Sequence, residues 1–177
     1  TYNNLYMDIR QTLRRAGIEA ATLEARELMC FASGKTRSQL VQDGQLYVPP
    51  AIEERAKDLV RRHLAGEPVA YLIGEWEFYG LGLDITPDVL IPRMDTEVLA
   101  ERGILRARAA GEGARVLDLC AGSGCVGLAI AANAPDCRVV LGELSEGALR
   151  VCKQNVRRNE LNARVTCLSV NAMEPPA

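Results

Sequence analysis

The chain has 177 residues, 48% of them apolar, and its 21 basic and 23 acidic residues leave a formal net charge of −2. That supplies one ordinary core, or a small domain joined to part of a second, and without a global basic excess it excludes bulk nucleic-acid binding by charge. No apolar run approaches the roughly 20 residues needed to span a bilayer, and Thr1 to Arg15 is an amphipathic segment with charges inside it, not a signal peptide.

The first third reads as helices. Leu5, Ile9 and Leu13 recur at helical spacing before Gly17. Thr22 is positioned to cap a second helix carrying Ala25, Leu28, Met29 and Ala32, with Gly34 after it. Thr36 and Gln39 have capping-box spacing. Pro49 and Pro50 open a helix with Ile52, Ala56, Leu59, Val60, His63 and Leu64 on one face, closed by Gly66. His63 on that face reads as a packing residue.

After Gly66 the texture changes. Glu75–Tyr79 and Leu83–Thr86 flank Gly80-Leu81-Gly82, which predicts a β-hairpin with Trp76, Phe78 and Tyr79 in its core. Asp95 or Thr96 is placed to cap a helix running to about Ala110. From Arg115 the pattern alternates: a short buried strand Val116–Leu119, a helix Cys125–Asn133, a strand Arg138–Leu141, a helix capped by Ser145 and ending near Asn159, and a strand Val165–Val170. In that helix Ala148, Leu149, Cys152 and Val156 are expected to face inward. Strands alternating with helices imply a parallel sheet. The arginine pairs Arg61-Arg62 and Arg157-Arg158 read as solvated faces. The six cysteines form no C-x-x-C pair and His63 is the only histidine, so a zinc site is rejected and most of the thiols read as small core residues of a reducing, cytoplasmic protein.

Asp118-Leu119-Cys120-Ala121-Gly122-Ser123-Gly124 lies between a strand and a helix, where small residues admit a ligand close to the backbone and amides at the helix start offer donors. Glu143, nineteen positions after Gly124 at the end of the next strand, stands where a Rossmann-type site keeps the carboxylate that accepts ribose hydroxyls. A tight structural turn is the bland alternative. Gly122-x-Gly124-x-x-Gly127 also fits a dinucleotide site, whereas the acid at Asp118 suits a cationic sulfonium or amino group.

The segment Gly66-Glu67-Pro68-Val69-Ala70-Tyr71-Leu72-Ile73-Gly74-Glu75-Trp76-Glu77-Phe78-Tyr79-Gly80 resembles the HemK/PrmC family of release-factor glutamine methyltransferases. So does Val89-Leu90-Ile91-Pro92-Arg93-Met94-Asp95-Thr96-Glu97, where the family usually has proline in place of Met94. Asp118–Gly124 and Glu143-Leu144-Ser145 follow in the family order, and the resemblance runs from about Ala16 to the end.

This resemblance implies an α/β chain in three parts: a helical substrate-recognition domain over 1–72, a hairpin linker over 73–94, and the first part of a Rossmann-like class I S-adenosylmethionine-dependent methyltransferase domain over 95–177. It implies methylation of the glutamine amide in the Gly-Gly-Gln motif of class 1 translation release factors, with these as partners and neither membrane, metal nor directly bound nucleic acid. The rivals are methylation of a ribosomal-protein glutamine or a nucleic-acid amino group, and a non-catalytic partner-binding remnant. By position, Asp118, Cys120, Ala121, Gly122, Ser123 and Gly124 fall on the cofactor loop, Glu143 on the ribose acid (more often Asp), and Asn171 and Ala172 beside the adenine. Pro92, Arg93 and Thr96 fall at the active-site mouth. The family's catalytic Asn-Pro-Pro-Tyr is not in the chain, and Pro175-Pro176 is not that motif. No catalytic residue is therefore assigned, and these 177 residues alone are expected to be inactive, with Val116–Leu119 left as an exposed apolar edge.

Overall fold

In the computed structural model, which describes residues 1–174, the chain divides into two units, Thr1–Ile73 and Gly74–Ala177.

Helical periodicity builds the first unit. Helix α1 (Tyr2–Arg15) buries Tyr2, Leu5, Ile9 and Leu13, one stripe at three- and four-residue spacing. Helix α2 (Ala21–Ser33) buries Ala21, Ala25, Leu28, Met29 and Ala32 and ends on Gly34 at φ +67°. Thr22 is not its cap: the helix starts one residue earlier, after Ala20, and the Thr22 hydroxyl accepts from Arg14 (3.4 Å). Thr36 and Gln39 form the expected reciprocal capping box on α3 (Arg37–Gln42). Helix α4 (Pro50–Leu64) buries Ala56, Leu59 and Val60, while Leu64 turns outward. A short helix α5 (Val69–Ile73) follows where the sequence shows no periodicity; its buried Val69, Ala70 and Leu72 help it pack on α2 and α4. His63 does more than fill space. Its Nδ1 meets the Glu67 carbonyl oxygen and its Nε2 the Glu24 carboxylate, each at 2.9 Å, joining the end of α4 to the start of α2.

The second unit opens with the antiparallel hairpin β1 (Glu75–Phe78) and β2 (Leu81–Asp84). Its turn is Tyr79-Gly80, not Gly80–Gly82. Phe78 pairs with Leu81, and both turn residues have positive φ (+50° and +76°), as a two-residue turn of the right twist requires. Gly82 is a strand residue whose missing side chain makes room for the Arg158 guanidinium, 3.1 Å from where a Cβ would stand. Helix α6 (Asp95–Ala110) has no side-chain cap: Met94 holds the cap position, and Asp95 sits in the first turn.

Then come β3 (Arg115–Leu119), α7 (Cys125–Asn133), β4 (Arg138–Glu143), α8 (Glu146–Arg158, capped by the Ser145 hydroxyl) and β5 (Val165–Ser169). The strands form one parallel sheet in the order β3-β4-β5, the first part of a Rossmann-like domain. Both following helices cover the same face of it. A Cβ on Gly127 of α7 would collide with the Leu141 side chain, and Cys152 of α8 reaches Cys167, the sheet neighbour of Leu141. Gly103 allows α6 to approach α7 closely, since a Cβ there would collide with Ile130. Strand β3 is therefore not a buried strand. It pairs only with β4 among the described residues, and Leu117 and Leu119 on its other face are 60% and 43% exposed.

Candidate functional site

A parallel sheet brings the ends of its strands to one side, and that is where the predicted cofactor residues meet. Asp118 and Leu119 end β3, Glu143 ends β4, and Val170-Asn171 follow β5. The strand ends are tied by backbone bonds: the Ala121 amide donates to the Gly142 carbonyl (3.1 Å), and the Val170 amide to the Glu143 carbonyl (3.2 Å).

The loop between β3 and α7 alternates in hand. Cys120, Gly122 and Gly124 have φ of +58°, +56° and +82°. Gly122 faces open space, with nothing within 4 Å of a Cβ placed on it. Gly124 closes the loop from the inside, where a Cβ would stand only 3.1–3.3 Å from the side chains of Cys152, Leu141 and Leu128. Of the amides expected to be free for a ligand, two are already engaged. The Gly122 amide donates to Glu143 Oε2 and the Gly127 amide to Asp118 Oδ2, both at 2.9 Å. Asp118 thus supplies the start of α7 with the acceptor that Gly124, at the cap position, lacks.

Glu143 also accepts from the Ser145 amide through Oε1 (2.9 Å). Each of its oxygens so carries one backbone bond, and a carboxylate with about four lone-pair sites keeps further acceptor capacity for hydroxyls. Burial pushes the Asp118 carboxyl above the usual carboxylate range; the Gly127 amide offsets part of this, and the Glu143 charge adds to it. Two carboxylates at neighbouring strand ends would repel a pyrophosphate and attract a cation. The residues present fit a ligand that joins a positive centre to a ribose better than a dinucleotide.

Asn171 accepts from the Met173 amide (3.0 Å), shaping the turn after β5, and Ala172 is exposed there. Pro92 is buried, Arg93 is exposed, and the Thr96 amide donates to the Arg93 carbonyl (3.0 Å), which makes this segment a turn into α6. The hydrogen bonds of the described residues do not join Pro92, Arg93 or Thr96 to the loop. Pro175-Pro176 lies outside the described residues. Among the described residues no cluster could hold a metal ion, and no helix is long and apolar enough to cross a membrane.

One residue of the site went unseen in the sequence. Asn155, fully buried on α8, donates through Nδ2 to the Ser123 carbonyl (2.9 Å) and the Asp84 carbonyl (3.1 Å), and accepts from the Asp84 amide (2.6 Å). It fastens the loop to the hairpin. Its signal was a polar residue within the inward stripe of Cys152 and Val156. Arg158 is likewise no free surface charge: it pairs with Asp84 (2.5 Å) and Glu75 (2.6 Å).

Two family models match this chain: the PrmC N-terminal domain over residues 4–74 and the methyltransferase small domain over residues 82–176. Curated proteins named release factor glutamine methyltransferase are similar to it. That of Bordetella pertussis is 45% identical over 149 residues, covering 83% of this chain and 53% of the relative. That of Neisseria gonorrhoeae is 42% identical over 143 residues, with coverages of 81% and 50%. That of Geobacter sulfurreducens is 39% identical over 166 residues, with coverages of 94% and 57%. The chain spans about half the length of these curated relatives. With a strand-end loop set between two acids and a methyltransferase domain matched over more than half its residues, the chain belongs to the methyltransferase small domain family, and the PrmC N-terminal domain in front places it in the HemK/PrmC family it resembles.

Proposed function

We propose that this chain binds S-adenosylmethionine and forms the cofactor-holding part of an enzyme that methylates the side-chain amide of the glutamine in the Gly-Gly-Gln motif of class 1 translation release factors. The observation that carries the reading is the convergence of Asp118, the 120–124 loop and Glu143 at the strand ends of a methyltransferase domain preceded by a PrmC N-terminal domain. When bound, the cofactor supplies an electrophilic methyl group. The chain's own residues hold and orient it. Glu143 accepts ribose hydroxyls, Asp118 balances the positive charge, and Cys120, Ala121, Gly122, Ser123 and Gly124 let it lie against the backbone. Asn171 and Ala172 flank the base, while Pro92, Arg93 and Thr96 border the mouth.

An amide nitrogen is a weak nucleophile, and orienting it needs acceptors fixed beside it. The chain assigns no such group, so these 177 residues alone are expected to bind the cofactor without transferring its methyl. Calorimetric titration with S-adenosylmethionine tests the site. Glu143→Ala should weaken binding by about tenfold or more, in line with the loss of a charged acceptor worth roughly 1.5–3 kcal/mol. Unchanged affinity in that variant would sink the assignment. Offering the intact protein a release factor, a ribosomal protein and DNA as acceptors tests the substrate. Methylation of either of the last two in preference overturns it, and no methylation at all favours a partner-binding remnant.

A further inference from the structure

The cofactor loop rests on a pair of thiols that the proposed function does not use. Cys152 of α8 is fully buried, and its sulfur lies 3.7 Å from that of Cys167 on β5. The same Cys152 sulfur is packed beneath Gly124, 3.1 Å from where a Cβ on that glycine would stand. Cys167, by contrast, is partly exposed and lines a cavity of about 230 Å³ together with Lys153, Arg157, Asn162 and Thr166. One sulfur is therefore reachable by a small solute beside two cations, and the other waits behind it against the loop.

We propose that Cys167 and Cys152 form a redox couple, in which a hydroperoxide entering the cavity oxidises Cys167 and Cys152 resolves it to a disulfide that disturbs the floor of the cofactor loop. Cys167 is the more exposed sulfur of the two, and its thiol is held below the ordinary value chiefly by its interaction with Cys152, while burial opposes this and the Lys153 charge adds to the lowering. Its thiolate attacks the terminal peroxide oxygen. An S–O bond forms, the O–O bond breaks, sulfur loses two electrons, and the departing alkoxide or hydroxide takes a proton. The Cys152 sulfur then attacks the sulfenic acid. The S–S bond forms, the S–O bond breaks, and the thiol proton leaves with the hydroxide as water. Two thiols and one hydroperoxide thus give a disulfide, an alcohol or water, and a further water.

Closing the sulfurs from 3.7 Å to a disulfide length of about 2.0 Å requires the Cys152 side chain, which packs against Gly124, or its partner to shift. The consequence for the ligand rests on the cofactor reading given above; the chemistry of the pair does not.

The test treats the intact protein with hydrogen peroxide and maps its cysteine peptides by mass spectrometry, with and without dithiothreitol. The expected result is a Cys152–Cys167 cross-linked peptide lighter by two hydrogens, restored by reductant. Cys152→Ala should leave a sulfenic acid on Cys167 that dimedone traps, and Cys167→Ser should leave Cys152 reduced. Both thiols remaining reduced while other cysteines oxidise, or a cross-link to a different cysteine, overturns the couple. S-adenosylmethionine titrations of the reduced and cross-linked forms then read the coupling, with about tenfold weaker binding expected on oxidation. Equal affinities overturn the coupling to the loop, and a reduced protein that binds no cofactor overturns the cofactor reading while the mass spectra still decide the couple.

Discussion

Cys120 stands in the loop with a φ of +58°, a left-handed backbone conformation that suits glycine. A side chain in the left-handed region crowds its own backbone at a cost of roughly 1–2 kcal/mol. Cys120→Gly should therefore raise stability by about 1 kcal/mol, less what glycine's extra unfolded-state freedom takes back. Urea unfolding reads this directly, and a lower midpoint would count against it. Asp118 adds a pH dependence. Its carboxyl titrates higher folded than unfolded, chiefly because burial opposes its charge. Its contribution to stability is thus full below its unfolded titration and is lost as pH rises from there through its folded titration. Asp118→Asn keeps an oxygen that can accept from Gly127 without burying a charge. The variant should gain on the parent above that titration, and the gap should close on acidification. Unfolding curves at a series of pH values check this, and a gap of constant size would reject it. The loop and both acids were legible from spacing. What each acid touches was not, because a carboxylate at a strand end can turn to the ligand or to the nearest amide.

Among elements, α8 has the widest reach. It carries Cys152 under the loop, Asn155 between loop and hairpin, and Arg158 and Asn159 against β1 and β2; the Asn159 amide donates to the Gly82 carbonyl at 3.0 Å. The two kinds of contact differ in weight. Removing Asn155 strands a backbone amide and two carbonyls, each at roughly 1–3 kcal/mol if left unsatisfied. Arg158 is partly exposed, and such ion pairs contribute about 0–1 kcal/mol each. Asn155→Ala should thus cost about 3 kcal/mol and Arg158→Met about 1 kcal/mol or less. Denaturant titration gives the ranking, and amide exchange at Asp84 should speed up in the first variant alone. The reverse order would show that the hairpin is held by charge. The sequence located α8 and its Ser145 cap from periodicity, yet periodicity marks Asn155 only as an exception in an apolar stripe. The hairpin shows the same limit: two glycines near the turn looked equivalent, although Gly80 serves backbone conformation and Gly82 makes room for Arg158.

At the scale of the molecule, the sheet is covered on one side only among the described residues. Leu117, Leu119 and Leu168 on the other face are 60%, 43% and 45% exposed, and the free edge of β3 runs beside the first two. An open edge flanked by exposed leucines is a template for another strand. The chain Thr1–Ala177 should therefore self-associate, and the double change Leu117→Lys, Leu119→Lys should shift it toward monomer. Sedimentation velocity distinguishes these; a parent that stays monomeric at high concentration refutes the expectation.

The sequence by itself determined the elements from Leu5 to Val165 that repeat at helical or strand spacing, the parallel sense of the sheet, and the strand-end location of Asp118, the glycine loop and Glu143. Those are local properties: period, cap and turn chemistry act within a few residues. Only the tertiary structure decided that Asp118 supports α7, that Asn155 fastens the loop to β2, that Cys152 and Cys167 are neighbours, and that one sheet face is bare among the described residues. Each of these joins residues far apart along the chain, where contact depends on which helix lands on which face, and no spacing in the sequence encodes that.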